Sequence, residues 1–308
     1  MITETSALVP TIADTVATHA AEAAHMGGAS PEGEANMFSH LLHHVYDARE
    51  IELPFLGHVH LPQVHPLEIA GITIDLSVTK HVVFLWIGAA ILILVAWVAA
   101  RQNRRNVVPR GIGNLVEVFM VFVRDDIVIP NMGMEGIRYL PYLLTTFLYI
   151  LIMNLLGLFP YGASATGNVN VTAGLAIIAF VMIQLTAIRA QGFGHYLAHL
   201  TGGVHWALWP IMIPIEILGL FTKPFALCIR LYANMTGGHI VIVSLIGLIF
   251  IFKSYIVAAG PVAFVVGISF LELFVAFLQA YVFTMLTALF MGLGMEAARH
   301  AHRGKHEH

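Results

Sequence analysis

Cysteine is nearly absent from this sequence. A single residue, Cys228, in 308 excludes an internal disulfide and any metal cluster built on cysteine. It sits in an apolar run and reads as inert packing. Charge is scarce as well: Asp, Glu, Lys and Arg make up 11% of the chain, where a soluble domain carries about 25%. The formal net charge of −3 offers no basic surface for nucleic acid. No GxxxxGK[ST] loop, HExxH pair or GxSxG elbow occurs, so the usual signatures for nucleotide binding, zinc proteolysis and serine hydrolysis are missing. Internal repeats are missing too, which disfavours an inverted-repeat transporter. Residues 1–36 lack a basic start and an apolar core of adequate length, so no cleaved signal is expected there. They are rich in Ala, Thr, Gly and Glu and are expected to be mobile.

Hydrophobic residues are abundant, at 58%, and they come in long runs. The pattern predicts an all-α membrane protein with about five membrane-embedded helices plus one interfacial helix. The last two helices are expected to be long, tilted and paired as an antiparallel hairpin. The first span is placed at about Val78–Ala100, before the basic flank Arg101-Gln-Asn-Arg-Arg105. Residues 111–129 are mostly apolar but contain Glu117, Arg124, Asp125 and Asp126, which reads as the interfacial helix. Pro130 and Gly133 are expected to break the chain. Spans follow at about Tyr139–Phe159 and Val169–Ile188, then a Gly- and His-containing connection over 190–208. The two long segments are about Trp209–Phe252 and Pro261–Ala297, with a break containing Lys253, Ser254, Gly260 and Pro261. Forty helical residues rise roughly 60 Å, twice the hydrocarbon core of about 30 Å. They must tilt or break, and Pro214 and Pro224 offer kinks.

Three regions result: an extracytoplasmic segment 1–77, a membrane domain 78–297 and a cytoplasmic tail 298–308. With the N-terminus outside, ten Lys and Arg residues fall in inside segments and only Arg49, Lys80 and Lys253 in outside ones. That bias sets the orientation. The segment 37–77 is histidine-rich, with His40, His43, His44, His58, His60 and His65. His40 and His44 have the i, i+4 spacing that suits a metal on a helix. No acidic or cysteine partner completes a recognisable site, so a solvated surface segment is expected. The histidine-rich tail from Arg299 to His308 reads the same way.

Charges inside the long segments are the candidate functional groups. Glu216, Lys223 and Arg230 recur every seven residues, which places them on one helix face within roughly 40°. Asn234 stays near that face. Glu272 and Gln279 are also seven apart. A charge at the bilayer centre costs about 2.5–3.5 kcal/mol on insertion scales, so each needs a partner or a watery path. Static ion pairs are the plain alternative for Glu216 and Lys223. Arg230 has no carboxylate one helical turn away in sequence. In an antiparallel hairpin, facing residues have numbers of near-constant sum. Arg230 with Gln279 and His239 with Glu272 give 509 and 511, which is one register. Arg230 and His239 then point to opposite sides of their helix. Histidine and carboxylate can carry protons near neutral pH; arginine keeps its charge.

The stretch Ala226-Leu-Cys-Ile-Arg-Leu-Tyr-Ala-Asn-Met-Thr-Gly-Gly-His239 resembles the signature of subunit a of rotary F-type ATP synthases. So do Asn154-Leu-Leu-Gly-Leu-Phe-Pro160, Phe122-Val-Arg-Asp-Asp126 and the pair Glu272 and Gln279. The likeness covers about residues 78–297. Some members have Glu nine places after the arginine and His at the position of Glu272; here the two are exchanged. The resemblance implies a proton-channel stator beside a ring of c subunits, with a b-subunit peripheral stalk as a further partner. It implies no cofactor and no bound nucleotide. Arg230 would be the fixed cation separating two half-channels. Glu216, His239 and Glu272 would line the proton pathway, with Asn234, Gln279 and Asn154 as supporting polar groups. The bilayer would be a bacterial inner membrane. The competing classes are a secondary transporter with an intramembrane anion or proton site, and an intramembrane hydrolase. Only the stator requires a partner ring to move protons.

Overall fold

The computed structural model describes residues 50–53, 57–60, 67–69, 72–74, 80–105, 111–158, 165–194, 196, 209–252 and 255–303. Residues 1–36, His40 and His44, most of the 190–208 connection and the end of the tail lie outside the described residues. Among the described residues seven α-helices are seen: α1 Lys80–Arg105, α2 Ile112–Phe122, α3 Ile129–Met132, α4 Leu140–Gly157, α5 Val169–Gln191, α6 Trp209–Phe252 and α7 Tyr255–Arg303. Five helical stretches among them are long and apolar enough to cross a membrane. The expected all-α membrane architecture, with α2 as the additional shorter helix, is present.

Ahead of α1 lie two small hairpins not anticipated from the sequence. Strand β1 (Glu50–Leu53) pairs antiparallel with β2 (Gly57–His60), and β3 (Leu67–Ile69) with β4 (Ile72–Ile74). Their signal was the period-2 alternation Glu-Ile-Glu-Leu and His-Val-His, which a tally of histidines obscures.

Two expected breaks are not breaks. Pro130 sits in a continuous helical run, at the start of α3 just after the π-turn, without ending it. The chain turns instead at Gly133, whose φ of 71° suits glycine. Pro261 lies inside α7, which starts at Tyr255. Membrane helices tolerate such a proline where neighbouring groups satisfy the freed carbonyl. α6 is likewise one helix through Pro214 and Pro224. Helix α6 runs to Phe252 and α7 starts at Tyr255, with residues 253–254 outside the described residues.

Between α2 and α3 the helix widens into a π-turn, Val123–Val128. The wider turn lets Val123, Ile127 and Val128 all point inward, fully buried. Arg124 and Asp125 stay at the surface in a two-bond ion pair, Nε to Oδ1 at 2.7 Å and Nη2 to Oδ2 at 3.0 Å. The guanidinium hydrogen bond holds the Asp125 carboxyl below its ordinary value.

By its contacts the described structure falls into two units. One includes 236–271, on either side of the α6–α7 connection; the other spans Glu50–Met235 and Glu272–His308. The second unit holds the core. Phe147 lies at its centre, with rings of Phe119, Phe122 and Phe277 at 5.6–5.8 Å. Lipid is as apolar as leucine, so burial alone drives helices together weakly; close packing and polar bonds do the work. Accordingly, Gly294 of α7 lies against Ala187 of α5, where an added Cβ would meet the alanine methyl at 2.8 Å. Gly292 lies against the backbone carbonyl of Asn131 with no room for a Cβ. Trp86, Ile93 and Trp97 of α1 face outward. Arg101 sits 5.1 Å over the Trp97 ring, an aromatic–basic anchor of the kind found at membrane interfaces.

Gly292→Ala is expected to destabilise this unit by about 1–3 kcal/mol through overpacking against a backbone that cannot yield. Thermal unfolding in detergent would show a lowered midpoint, whereas Gly174→Ala, in a helix with open space around it, would not lower it.

Candidate functional site

Helix α6 is continuous across Glu216, Lys223, Arg230 and Asn234, so the seven-residue stripe is real. Leu227, Cys228, Leu231 and Met235 form its buried face. At 100° per residue the stripe runs along one edge of that face. Glu216 and Lys223 are half-buried there, while Arg230 is exposed. On the other edge Leu218, Phe221, Phe225 and Ile229 point outward. Arg230 therefore lies at the exposed edge of the packed face, across it from that apolar flank.

The partner of Gln279 is Asn234. Asn234 Nδ2 donates to Gln279 Oε1 at 2.8 Å. Three turns nearer the start of α6, Lys223 Nζ lies 4.8 Å over the Phe290 ring, a cation–π contact. Both pairs of residue numbers add to 513, so α6 and α7 run antiparallel here. The register differs from the expected pairing of Arg230 with Gln279 by four residues, one helical turn. The reason is chemical. Two neutral amides bond directly at the edge of the interface, where Gln279 is buried, whereas a guanidinium drawn in to Gln279 would give up its hydration without gaining a counter-charge. Arg230 stays one turn away on the same edge.

Gln279 is 2% exposed, and its Nε2 has no hydrogen-bond partner. Among the described residues Arg230 has no carboxylate partner; the ion pair found there is Arg124–Asp125. An unpaired cation and an unfilled amide donor thus sit one turn apart. The Arg230 side chain is exposed, whereas the Gln279 amide nitrogen is buried. Glu272 is half-buried on α7. The side chain of His239 lies outside the described residues.

Asn154 has a different place. It is fully buried in α4, where Nδ2 donates to the Ala276 carbonyl of α7 at 3.2 Å and Oδ1 accepts from the Thr166 hydroxyl at 2.9 Å. Ala276 lies one turn before Gln279, so Asn154 fixes the height of α7 at the site. Thr166 was missed in the sequence because a threonine in a short loop carries no signal of its own. Cys228 is buried, as its apolar surroundings implied, with its Sγ 3.4 Å from the Thr172 hydroxyl.

A family model described as ATP synthase A chain matches residues 82–292. The chain belongs to that family. It is 52% identical over 270 residues to ATP synthase subunit a of Chloroherpeton thalassium, covering 87% of this chain and 79% of the relative. It is 50% identical over 301 residues to ATP synthase subunit a 2 of Chlorobaculum tepidum, covering 96% and 82%. The subunit a of Myxococcus xanthus is 48% identical over 272 residues, covering 86% and 90%. Family membership and the apolar helices make this chain an integral membrane subunit of an ATP synthase, with a role in proton transport and ATP synthesis.

Asn234→Ala is expected to leave the buried Gln279 amide without its partner, at a cost of about 1–3 kcal/mol. The detergent-solubilised protein should unfold at lower temperature. Replacing both residues by leucine should restore much of the loss, since no polar group is then stranded.

Proposed function

We propose that this chain is the stator against which a ring of c subunits turns, and that Arg230 separates two offset proton half-channels. What carries the reading is an exposed arginine without a carboxylate among the described residues, one turn from the Asn234–Gln279 pair on a membrane-spanning helix. In lipid such a charge is tolerable only if a counter-charge arrives from elsewhere. A ring carboxylate is a counter-charge that comes and goes.

Protons reach that carboxylate from outside by way of His239 and Glu272. Once neutral, the carboxyl group crosses lipid at low cost. On return it loses its proton to the half-channel that contains Glu216, and the anion is drawn past Arg230. The guanidinium remains protonated throughout, so it attracts the anion without relaying a proton, and leakage between the half-channels is blocked. The driving force is about 2.3 kcal/mol per proton per 100 mV. Asn234 and Gln279 hold the opposing helix at the level of the guanidinium. The N-terminus lies outside and the C-terminus in the cytoplasm, in a bacterial inner membrane. A b-subunit stalk holds the stator still.

Arg230→Ala is expected to assemble normally and to lose ATP-driven proton pumping at least about tenfold, the scale of one lost charged hydrogen bond. Pumping at the wild-type rate by the purified complex would reject the assignment.

A further inference from the structure

The β1–β2 hairpin joins residues that the sequence holds apart. Antiparallel pairing sets Glu50 opposite His60, Ile51 opposite Val59, Glu52 opposite His58 and Leu53 opposite Gly57. Directly opposed residues share a face of the ribbon, and the faces alternate along each strand. Glu50, Glu52, His58 and His60 therefore occupy one face, and Ile51, Leu53, Gly57 and Val59 the other. The sorting follows from the backbone register. The β3–β4 hairpin holds no such cluster: Glu68 is paired with Thr73, between the apolar pairs Leu67–Ile74 and Ile69–Ile72.

Along one strand, residues on the same face are about 7 Å apart; opposed residues are about 4.5–5.5 Å apart and diagonal ones about 7–8 Å. Two imidazoles and two carboxylates thus start from the corners of a patch small enough for their arms to meet on one ion. The residue types match as well. Imidazole and carboxylate are zinc donors, and a structural zinc site takes four ligands. Imidazole nitrogen favours Zn²⁺, Cu²⁺ or Ni²⁺, whereas Mg²⁺ and Ca²⁺ take oxygen. Read along the chain, the histidines of 37–77 have no acidic partner in a metal-binding spacing, because Glu50 and Glu52 stand six to ten positions from His58 and His60. Strand pairing supplies the partners.

The hairpin also has a use for an ion. A two-stranded hairpin is at best marginally stable alone in water. A metal bound across the two strands adds its binding free energy to the folded form.

We propose that Glu50, Glu52, His58 and His60 form a binding site for one divalent transition-metal ion, Zn²⁺ being the one that fits the donors best, and that the ion ties β1 to β2. No residue of the proposed proton path takes part.

The test uses the full-length chain, purified in detergent without an added histidine tag, stripped of metal with EDTA and then freed of the chelator. Calorimetric titration with Zn²⁺ should show a tightest class of one ion per chain. Hydrogen exchange read by mass spectrometry should slow over residues 50–60 when Zn²⁺ is added. Glutamine keeps polarity and approximate size at each position, so paired substitutions separate the donors. His58→Gln with His60→Gln should lose the tight class and the slowed exchange. Glu50→Gln with Glu52→Gln should weaken binding at least about tenfold. His40→Gln with His44→Gln should bind as wild type does. Wild-type binding in either of the first two double variants would overturn the assignment. So would loss of the tight class in the third, which would place the ion elsewhere in the histidine-rich segment. Exchange over 50–60 that Zn²⁺ leaves unmoved in the wild-type chain would overturn it too.

Discussion

A polar atom inside hydrocarbon has no water to fall back on, so every such group must find its partner within the protein or receive one from outside. Most polar groups on these helices follow that rule quietly. Thr145, Thr146, Thr186, Thr222 and Thr287 donate to carbonyls one turn back on their own helices. Asn154 joins Thr166 and Ala276, and Gln191 donates to the Gly294 carbonyl at 2.9 Å. The bonds of Asn154 and Gln191 cross between helices and so set heights as well as satisfying groups. Some buried atoms break the rule, Thr236 Oγ1, Gln279 Nε2 and Thr284 Oγ1 on α6 and α7 among them, and Arg230 adds a cation with no carboxylate partner among the described residues.

Helix registers follow from the same rule. Hydrophobic contacts alone would let one apolar helix slide along another, because lipid and leucine are nearly equivalent neighbours. Polar bonds and glycine contacts remove that freedom. Asn234 with Gln279 and Lys223 with Phe290 agree on one register for α6 against α7. Gly292 and Gly294 bring α7 close to Asn131 and Ala187. A site that depends on charges meeting at one height in the membrane needs such fixed heights. The proposed stator role uses them, since Arg230 must stand still while a partner moves past it.

Much of this was legible in sequence. The apolar runs located five spans because a crossing helix needs about 20 residues of low polarity, and helices of soluble cores are seldom so long and so apolar at once. Arg230 was visible for the opposite reason, as a charge where charge is costly. The seven-residue stripe from Glu216 to Arg230 survived because α6 is unbroken. Breaks were read less well. Pro130 and Pro261 suggested interruptions, yet one sits in a continuous helical run and the other inside a long helix.

The residues alone determined the solvent of this protein, the number of its spans and the presence of an uncompensated cation, because each depends on local composition measured against lipid. Tertiary structure decided the partners. Gln279 bonds to Asn234 and not one turn away, and Tyr196 reaches Gln184 through a turn at Gly192. Spacing within one helix says which face a residue shares. Packing between helices sets the height at which that face meets another, and a shift of one turn changes every pair.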